Sequence, residues 1–191
     1  IIAPRLLGLD ANKQQEIDKM LIELDGTKNK RQLGANAILS VSIAIAKAAA
    51  KSSSLSLFLY LRSFIKGEKL EIRIPTPCFN LINGGKHGDG NLDFQEFFII
   101  PSVKISYSES LKICSLVYRQ LEKILKSRNL SVSIGVEGGF VPNLRTNVES
   151  LSLLKQAVEK VGLKVGVDIF LGLDCASSNF YNKNKYKIKD N

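Results

Sequence analysis

Apolar positions recur at helical spacing through the first third of the chain, and beyond it short β-rich runs alternate with further helices. Ile17, Met20, Leu21 and Leu24 form one stripe, with Asp10 placed to cap that helix and Gly26 to end it. Residues 36–51 are Ala-rich, and Ile38, Leu39, Val41, Ile43 and Ile45 predict a helix buried on most sides. Ser52-Ser53-Ser54 reads as a turn, Leu55 to Phe64 as a short helix, and the polar Lys66-Gly67-Glu68-Lys69 as a domain boundary.

Past that boundary the runs Pro77 to Ile82, Phe94 to Ile100, Val132 to Val136 and Ile169 to Leu173 read as strands. One intervening helix follows Ser108, with Cys114, Val117, Tyr118, Leu121, Ile124 and Leu125 on its apolar stripe. Another follows Asn147, with Leu151, Leu154, Val158 and Val161. Strands alternating with amphipathic helices predict an α/β fold with a parallel sheet and helical crossovers, either doubly wound or part of a barrel.

Composition narrows the picture. The chain has 191 residues, 45% hydrophobic and 24% charged, which is ordinary globular usage and gives no basis for a disordered or fibrous reading. The stretch Ala35 to Ala46 is shorter than the roughly 20 apolar residues of a membrane span, so no bilayer crossing is expected. No initiator Met and no secretory pattern opens the chain, which reads as cut from something longer. Cys78, Cys114 and Cys175 are widely spaced and suggest reduced, buried thiols rather than a disulfide framework or a thiolate metal site.

Lys and Arg number 27 against 18 acidic residues, but the surplus is spread through the chain and no nucleic-acid motif accompanies it, so a nucleic-acid partner is not expected. Lys183, Lys185, Lys187 and Lys189 repeat with a period of two, predicting a solvated lysine face on one strand with Tyr186 and Ile188 turned inward.

Glu96, Glu137 and Asp174 sit at strand ends where packing alone would not place them. A buried carboxylate must be paired, coordinated or protonated. Spacings of roughly forty residues suit successive crossovers, and acids converging on one rim suggest a divalent cation or acid/base chemistry. The plainer alternatives are a buried salt bridge for Glu96, an exposed turn for Glu137, and capping of the following segment by Asp174. Gly84-Gly85 and Gly138-Gly139 permit close approach of a ligand but also form ordinary turns. His87 is the only histidine, which excludes a multi-histidine metal site in this chain. Gln95 and Glu96 are neighbours and would face opposite sides of a regular strand, so Glu96 is expected inward.

Together, Leu33-Gly34-Ala35-Asn36-Ala37-Ile38-Leu39, Asn83-Gly84-Gly85-Lys86-His87, Gln95-Glu96-Phe97, Glu137-Gly138-Gly139-Phe140-Val141-Pro142-Asn143 and Leu173-Asp174-Cys175-Ala176-Ser177-Ser178 resemble the enolases, in order and across nearly the whole chain. The resemblance implies that residues 1–66 are the helical remainder of an α+β N-terminal domain. Residues 70–191 would then be the opening strands and helices of a modified TIM barrel, with roughly half the family's length absent.

It also implies a cytoplasmic glycolytic lyase that needs Mg²⁺, forms homodimers, and reversibly dehydrates 2-phosphoglycerate to phosphoenolpyruvate. By motif, Glu137 resembles the proton donor, assisted by Glu96. Asp174 resembles the first of three carboxylate ligands to Mg²⁺, and His87 and Gln95 match positions lining the substrate pocket. Two acids beside a departing hydroxyl make chemical sense, because a carboxyl must carry a proton to donate it and a neighbouring negative charge favours its keeping one.

Two positions depart from the family pattern: Val136 stands where an Asp is usual, and Lys86 where a small residue is common. The resemblance further implies that the base lysine and two more metal carboxylates come from segments beyond Asn191, so this polypeptide alone is expected to be inactive. An open barrel portion would expose strand edges, predicting aggregation or poor stability. The competing reading is a non-catalytic, basic binding protein on an enolase-like scaffold, which Val136 and the positive balance favour.

Overall fold

The computed structural model describes residues 1–65, 67, 71–89 and 91–189. Apart from Gly67, the Lys66–Lys69 junction lies outside the described residues. The chain divides into two compact units, Ile1–Glu71 and Ile72–Asn191.

The first unit is helical, with α1 (Ala3–Leu6), α2 (Gln14–Asp25), α3 (Ala35–Ser52) and α4 (Leu57–Arg62). Gly26 closes α2 in a left-handed conformation, its N–H reaching Ile22 O at 3.1 Å. Asp10 does not cap that helix. Lys13 holds the N-cap position, and Asp10 Oδ1 instead accepts the Asn12 N–H at 2.9 Å, because a short Asx turn sits closer to it than the helix end does.

At the other end of α2, Asp25 is buried and accepts from Thr27 N–H, the Thr27 hydroxyl and Leu33 N–H. Burial raises its pKa, but these bonds, with a further one from the Gln32 backbone, outweigh it and hold the carboxyl below its ordinary 3.8.

Helix α3 packs between α2 and α4, burying Ala46, Ala49 and Ala50 with Tyr60. It is not buried on most sides, since Leu39 remains 59% exposed and Ile43 is exposed too. Two neighbouring helices cover only part of its circumference.

The second unit carries β1 (Phe79–Asn83), β2 (Glu96–Pro101), α5 (Tyr107–Ser127), α6 (Asn147–Lys160) and β3 (Ile169–Asp174). Ser106 and Thr146 cap the two helices by accepting the N–H of Glu109 and Glu149 at 3.3 and 3.1 Å. Their apolar faces bury Cys114, Val117, Leu121, Ile124, Leu125, Leu153, Leu154, Ala157 and Val158 against Leu81, Phe97, Ile99 and Ile169 of the sheet. Cys114 is buried as expected, whereas Cys78 and Cys175 are exposed.

The sheet has the order β1-β2-β3, and both pairings are antiparallel, not parallel. The parallel expectation required Val132–Val136 to be a strand of the sheet. That segment forms only an isolated bridge, Ile134 to Phe140. With two helices in succession between β2 and β3, the chain makes an odd number of reversals and returns antiparallel. The result is α/β in class, with no closed barrel among the described residues.

The lysine run is not one strand face. Tyr181–Asn182 (β4) and Lys185–Tyr186 (β5) pair as a hairpin. Lys183 (φ 48°) and Asn184 (φ 61°) form its left-handed two-residue turn. Tyr186 and Ile188 are exposed rather than inward, because the hairpin is a separate two-stranded sheet, with the Tyr186 ring set against Phe180 and Tyr181. Among the described residues, no helix is long and apolar enough to cross a membrane.

Candidate active site

The antiparallel register brings one end of all three strands together: Glu96 lies opposite Asn83 of β1 on one side and Asp174 of β3 on the other. The end of β1, the start of β2 and the end of β3 therefore form one rim, and the loops leaving it hold the remaining candidate residues.

Directly after β1, Gly85–His87 makes a single tight 3-10 turn. Gly84 N–H bonds to Gln95 O at 2.9 Å and Gly85 N–H to Leu92 O at 3.1 Å, fastening the turn to the segment that enters β2. A side chain at Gly84 would strike the Phe94 carbonyl and Leu92, and Gly85 has φ +48°, so this pair is required by the turn itself. The turn presents His87, whose Nδ1 lies 2.8 Å from Glu96 Oε1, with side chains 27% and 15% exposed. Glu96 thus has an imidazole partner rather than a buried lysine.

Glu137 occupies the exposed turn of a hairpin whose arms are joined by Val141 N–H to Ser133 O at 2.8 Å and Gly135 N–H to Gly139 O at 2.9 Å. Phe140 docks this hairpin on β1, donating to Leu81 O and accepting from Asn83 N–H at 2.8 and 2.9 Å. The ligating atoms of His87, Glu96 and Glu137 consequently all lie within 4.8 Å of one another. An exposed turn and a shared site are both true of Glu137.

Asp174 stands apart from this trio. Its Oδ2 accepts the Gln95 side-chain N–H at 3.1 Å, and its Oδ1 accepts Ala176 N–H at 2.9 Å, so it caps the segment that follows it. Gln95 precedes the first residue of β2, and this strand end lets its amide reach Asp174 while Glu96 reaches His87.

Two further residues organise the site. Asn83 is buried, and its amide accepts from Asn80 Nδ2 at 2.9 Å and donates to His87 O at 3.4 Å. Side chains added at Gly135 and Gly139 would collide with that same amide, so the Glu137 hairpin is pressed against it without a gap. Tyr118 of α5 stacks on Phe140, with centroids 4.4 Å apart, and donates its hydroxyl proton to Gly138 O at 3.0 Å. Burial, with a smaller effect of Glu122, raises the Tyr118 pKa and keeps it a donor. A cleft of about 670 Å³ opens beside the hairpin, lined in part by Asn80, Glu96, Tyr118, Arg119 and Glu137.

The helical apolar stripe already contained Tyr118, but nothing in its spacing distinguished a hydroxyl that reaches a distant carbonyl. Asn83 carried a better signal, since an Asn followed by two glycines at a strand end marks a turn built around close backbone approach. The exposure of Val136, at 86%, sends its side chain into solvent.

Residues 1–61 match the N-terminal domain of enolase, and residues 71–191 match the C-terminal TIM barrel domain of enolase. The chain belongs to the enolase family, whose members are lyases.

Proposed function

We propose that this chain carries the acid side of an enolase reaction, the reversible dehydration of 2-phosphoglycerate to phosphoenolpyruvate. The observation that carries this reading is the convergence of His87, Glu96 and Glu137 at the rim where Asp174 pairs with Glu96.

Glu137 holds the proton delivered to the departing hydroxyl, and its exposed turn gives that proton access to a bound ligand. Glu96, tied to His87 Nδ1 at 2.8 Å, is fixed in orientation beside the donor. By their match to the family motif His87 and Gln95 would face the substrate, and Gln95 also steadies Asp174.

Asp174 suits Mg²⁺ by donor type: it is an oxygen ligand whose atoms, among the described residues, each accept one hydrogen bond and so retain lone pairs. It would hold the ion as one of several carboxylates. Bound Mg²⁺ supplies positive charge that stabilises the enediolate character developed during elimination. One carboxylate with water in the remaining positions holds Mg²⁺ only weakly, so the 191-residue polypeptide by itself should not turn over.

The test is Glu137→Gln in the parent gene product, assayed by phosphoenolpyruvate formation with Mg²⁺. Loss of the proton donor should lower kcat by about 10²–10⁴-fold with the fold intact. Unchanged kcat would remove Glu137 from the role.

A further inference from the structure

At the other end of β1 and β2 from the rim lies a separate hollow of about 520 Å³. Pro77, just before β1, and Val103, just after β2, give it apolar walls together with Ile74, Pro75 and Ile105. Its remaining side is the first turn of α5, through Ser106, Tyr107 and Ser110, and Arg73 adds a guanidinium to the lining.

Ser110 stands out in this turn. It lines the hollow and is 1% exposed, yet its hydroxyl has no hydrogen-bond partner among the described residues. A serine inside a helix commonly returns its hydroxyl to the carbonyl four residues back, as Ser115 and Ser152 do to Leu111 and Val148 at 2.7 and 2.9 Å. Ser110 does not, and a buried polar group left this way costs free energy until something meets it.

Two more donors are open beside it. The N–H groups of Tyr107 and Ser108 have no partner among the described residues, because they precede the first hydrogen bond of the helix. Helix α5 is 21 residues long, and its aligned peptide dipoles leave partial positive charge at this end. Glu109, the acid of the first turn, pairs with Lys112 at 3.7 Å and does not line the hollow.

An oxyanion satisfies these donors, while the walls call for a hydrocarbon part attached to it. Sulfate alone would leave Ile74, Val103 and Ile105 facing water, and a neutral hydrocarbon would leave the hydroxyl and N–H groups unmet. We infer that this hollow binds a small aliphatic monocarboxylate. Its carboxylate sits on the Ser110 hydroxyl and the open N–H groups of α5, and its chain lies against Ile74, Val103 and Ile105. Ile74 and Val103 are 68% and 81% exposed, so the ligand removes from water apolar surface that the unit itself leaves bare.

The experiment titrates the isotope-labelled 191-residue chain with hexanoate, and in separate arms with hexanol and with sulfate. Hexanoate should shift the amide resonances of Tyr107, Ser108 and Ser110 and saturate at one equivalent, with hexanol and sulfate each about tenfold weaker or more. Ser110→Ala should weaken hexanoate by about three- to tenfold. Ser152→Ala removes a hydroxyl already bonded within its own helix and should leave binding unchanged.

The resonances of the unsubstituted chain report on the site even where Ser110→Ala fails to fold. Hexanol or sulfate binding as tightly as hexanoate, shifts confined to residues outside the first turn of α5, or equal affinity in a folded Ser110→Ala chain would each overturn the inference. Self-association that Val103→Asp abolishes and hexanoate leaves intact would give the hollow to a second copy of the chain, and would overturn it too. None of these readouts is turnover, so failure here and failure of the dehydratase reading are separately detectable.

Discussion

The two units are packed in different ways. In Ile1–Glu71 the buried cluster is made of Ala46, Ala49, Ala50 and Tyr60, small side chains that let helices approach but remove little apolar surface from water. In Ile72–Asn191 large side chains from three strands and two long helices interlock, with Phe97, Ile99, Leu121, Leu125, Leu153 and Leu154 fully buried. The four acidic and imidazole groups of interest, His87, Glu96, Glu137 and Asp174, all stand on the second unit. Groups that must meet within a few tenths of an ångström need supports that cannot shift, and large interdigitated side chains provide them where a few alanine contacts do not.

Truncation should separate the units most sharply. Phe97→Ala should cost about 3–5 kcal/mol of stability, the transfer of a buried aromatic plus the cavity it leaves. Ala49→Gly in α3 should cost about 1 kcal/mol, chiefly helix propensity. Urea unfolding with hydrogen exchange resolved by unit measures both, and equal costs would dissolve the contrast.

A finer probe is Tyr118→Phe, which keeps the stack on Phe140 and removes only the hydrogen bond to Gly138. It should cost about 0.5–1.5 kcal/mol and speed amide exchange in the Glu137 hairpin, leaving the β2–β3 ladder protected. If exchange rises equally in both, Tyr118 supports the whole sheet rather than the hairpin.

Acid tests the first unit. The Asp25 carboxyl is held below 3.8 in the folded state, so its stabilising contribution is complete above that pH and declines as pH falls through 3.8 and then through the lowered folded value. Helicity of Ile1–Glu71 followed down from pH 5 should show this loss, and Asp25→Asn should flatten it. A profile unchanged by the substitution would place the acid sensitivity elsewhere.

The smallest effect concerns thiols. Burial pushes the Cys114 pKa up to about 12, so near pH 8 almost no thiolate forms there. Alkylation should label exposed Cys78 and Cys175 promptly and reach Cys114 only through opening of the second unit, as mass spectrometry would reveal. Rapid labelling of all three would show that unit to be looser than its packing suggests.

Local chemistry was readable from sequence, while direction was not. Gly26 and the stripes of α5 and α6 announced their helices because propensity, capping and periodicity agree within a few residues. Val132–Val136 misled, since a β-rich run says nothing about whether a partner strand lies beside it, and one strand more or less inverts the next. The lysine run failed similarly. Its alternation ignored the Lys183-Asn184 turn, where two residues leave extended geometry.

At the site, motif order led to Glu96, Glu137, Asp174, His87 and Gln95 but not to how they divide. His87 with Glu96 and Gln95 with Asp174 are pairings fixed by strand register and strand ends. The contacts of Asn83 and Tyr118 with the Glu137 hairpin, through Phe140 and Gly138, span distances in sequence that no local pattern encodes.

One irregularity in β1 carries a consequence for how this chain can change. Pairing with β2 passes from Asn80 opposite Phe98 to Ile82 opposite Phe97, leaving Leu81 as an extra residue. Because of that bulge, Leu81 and Ile82 are both buried. Deleting Leu81 would restore regular pairing with Asn83 still opposite Glu96, so the extra residue can be lost there without turning the rim residues to the other face. The strand can therefore absorb a change of length at the bulge that it could not absorb between Ile82 and Asn83, where register alone fixes which way the site residues face.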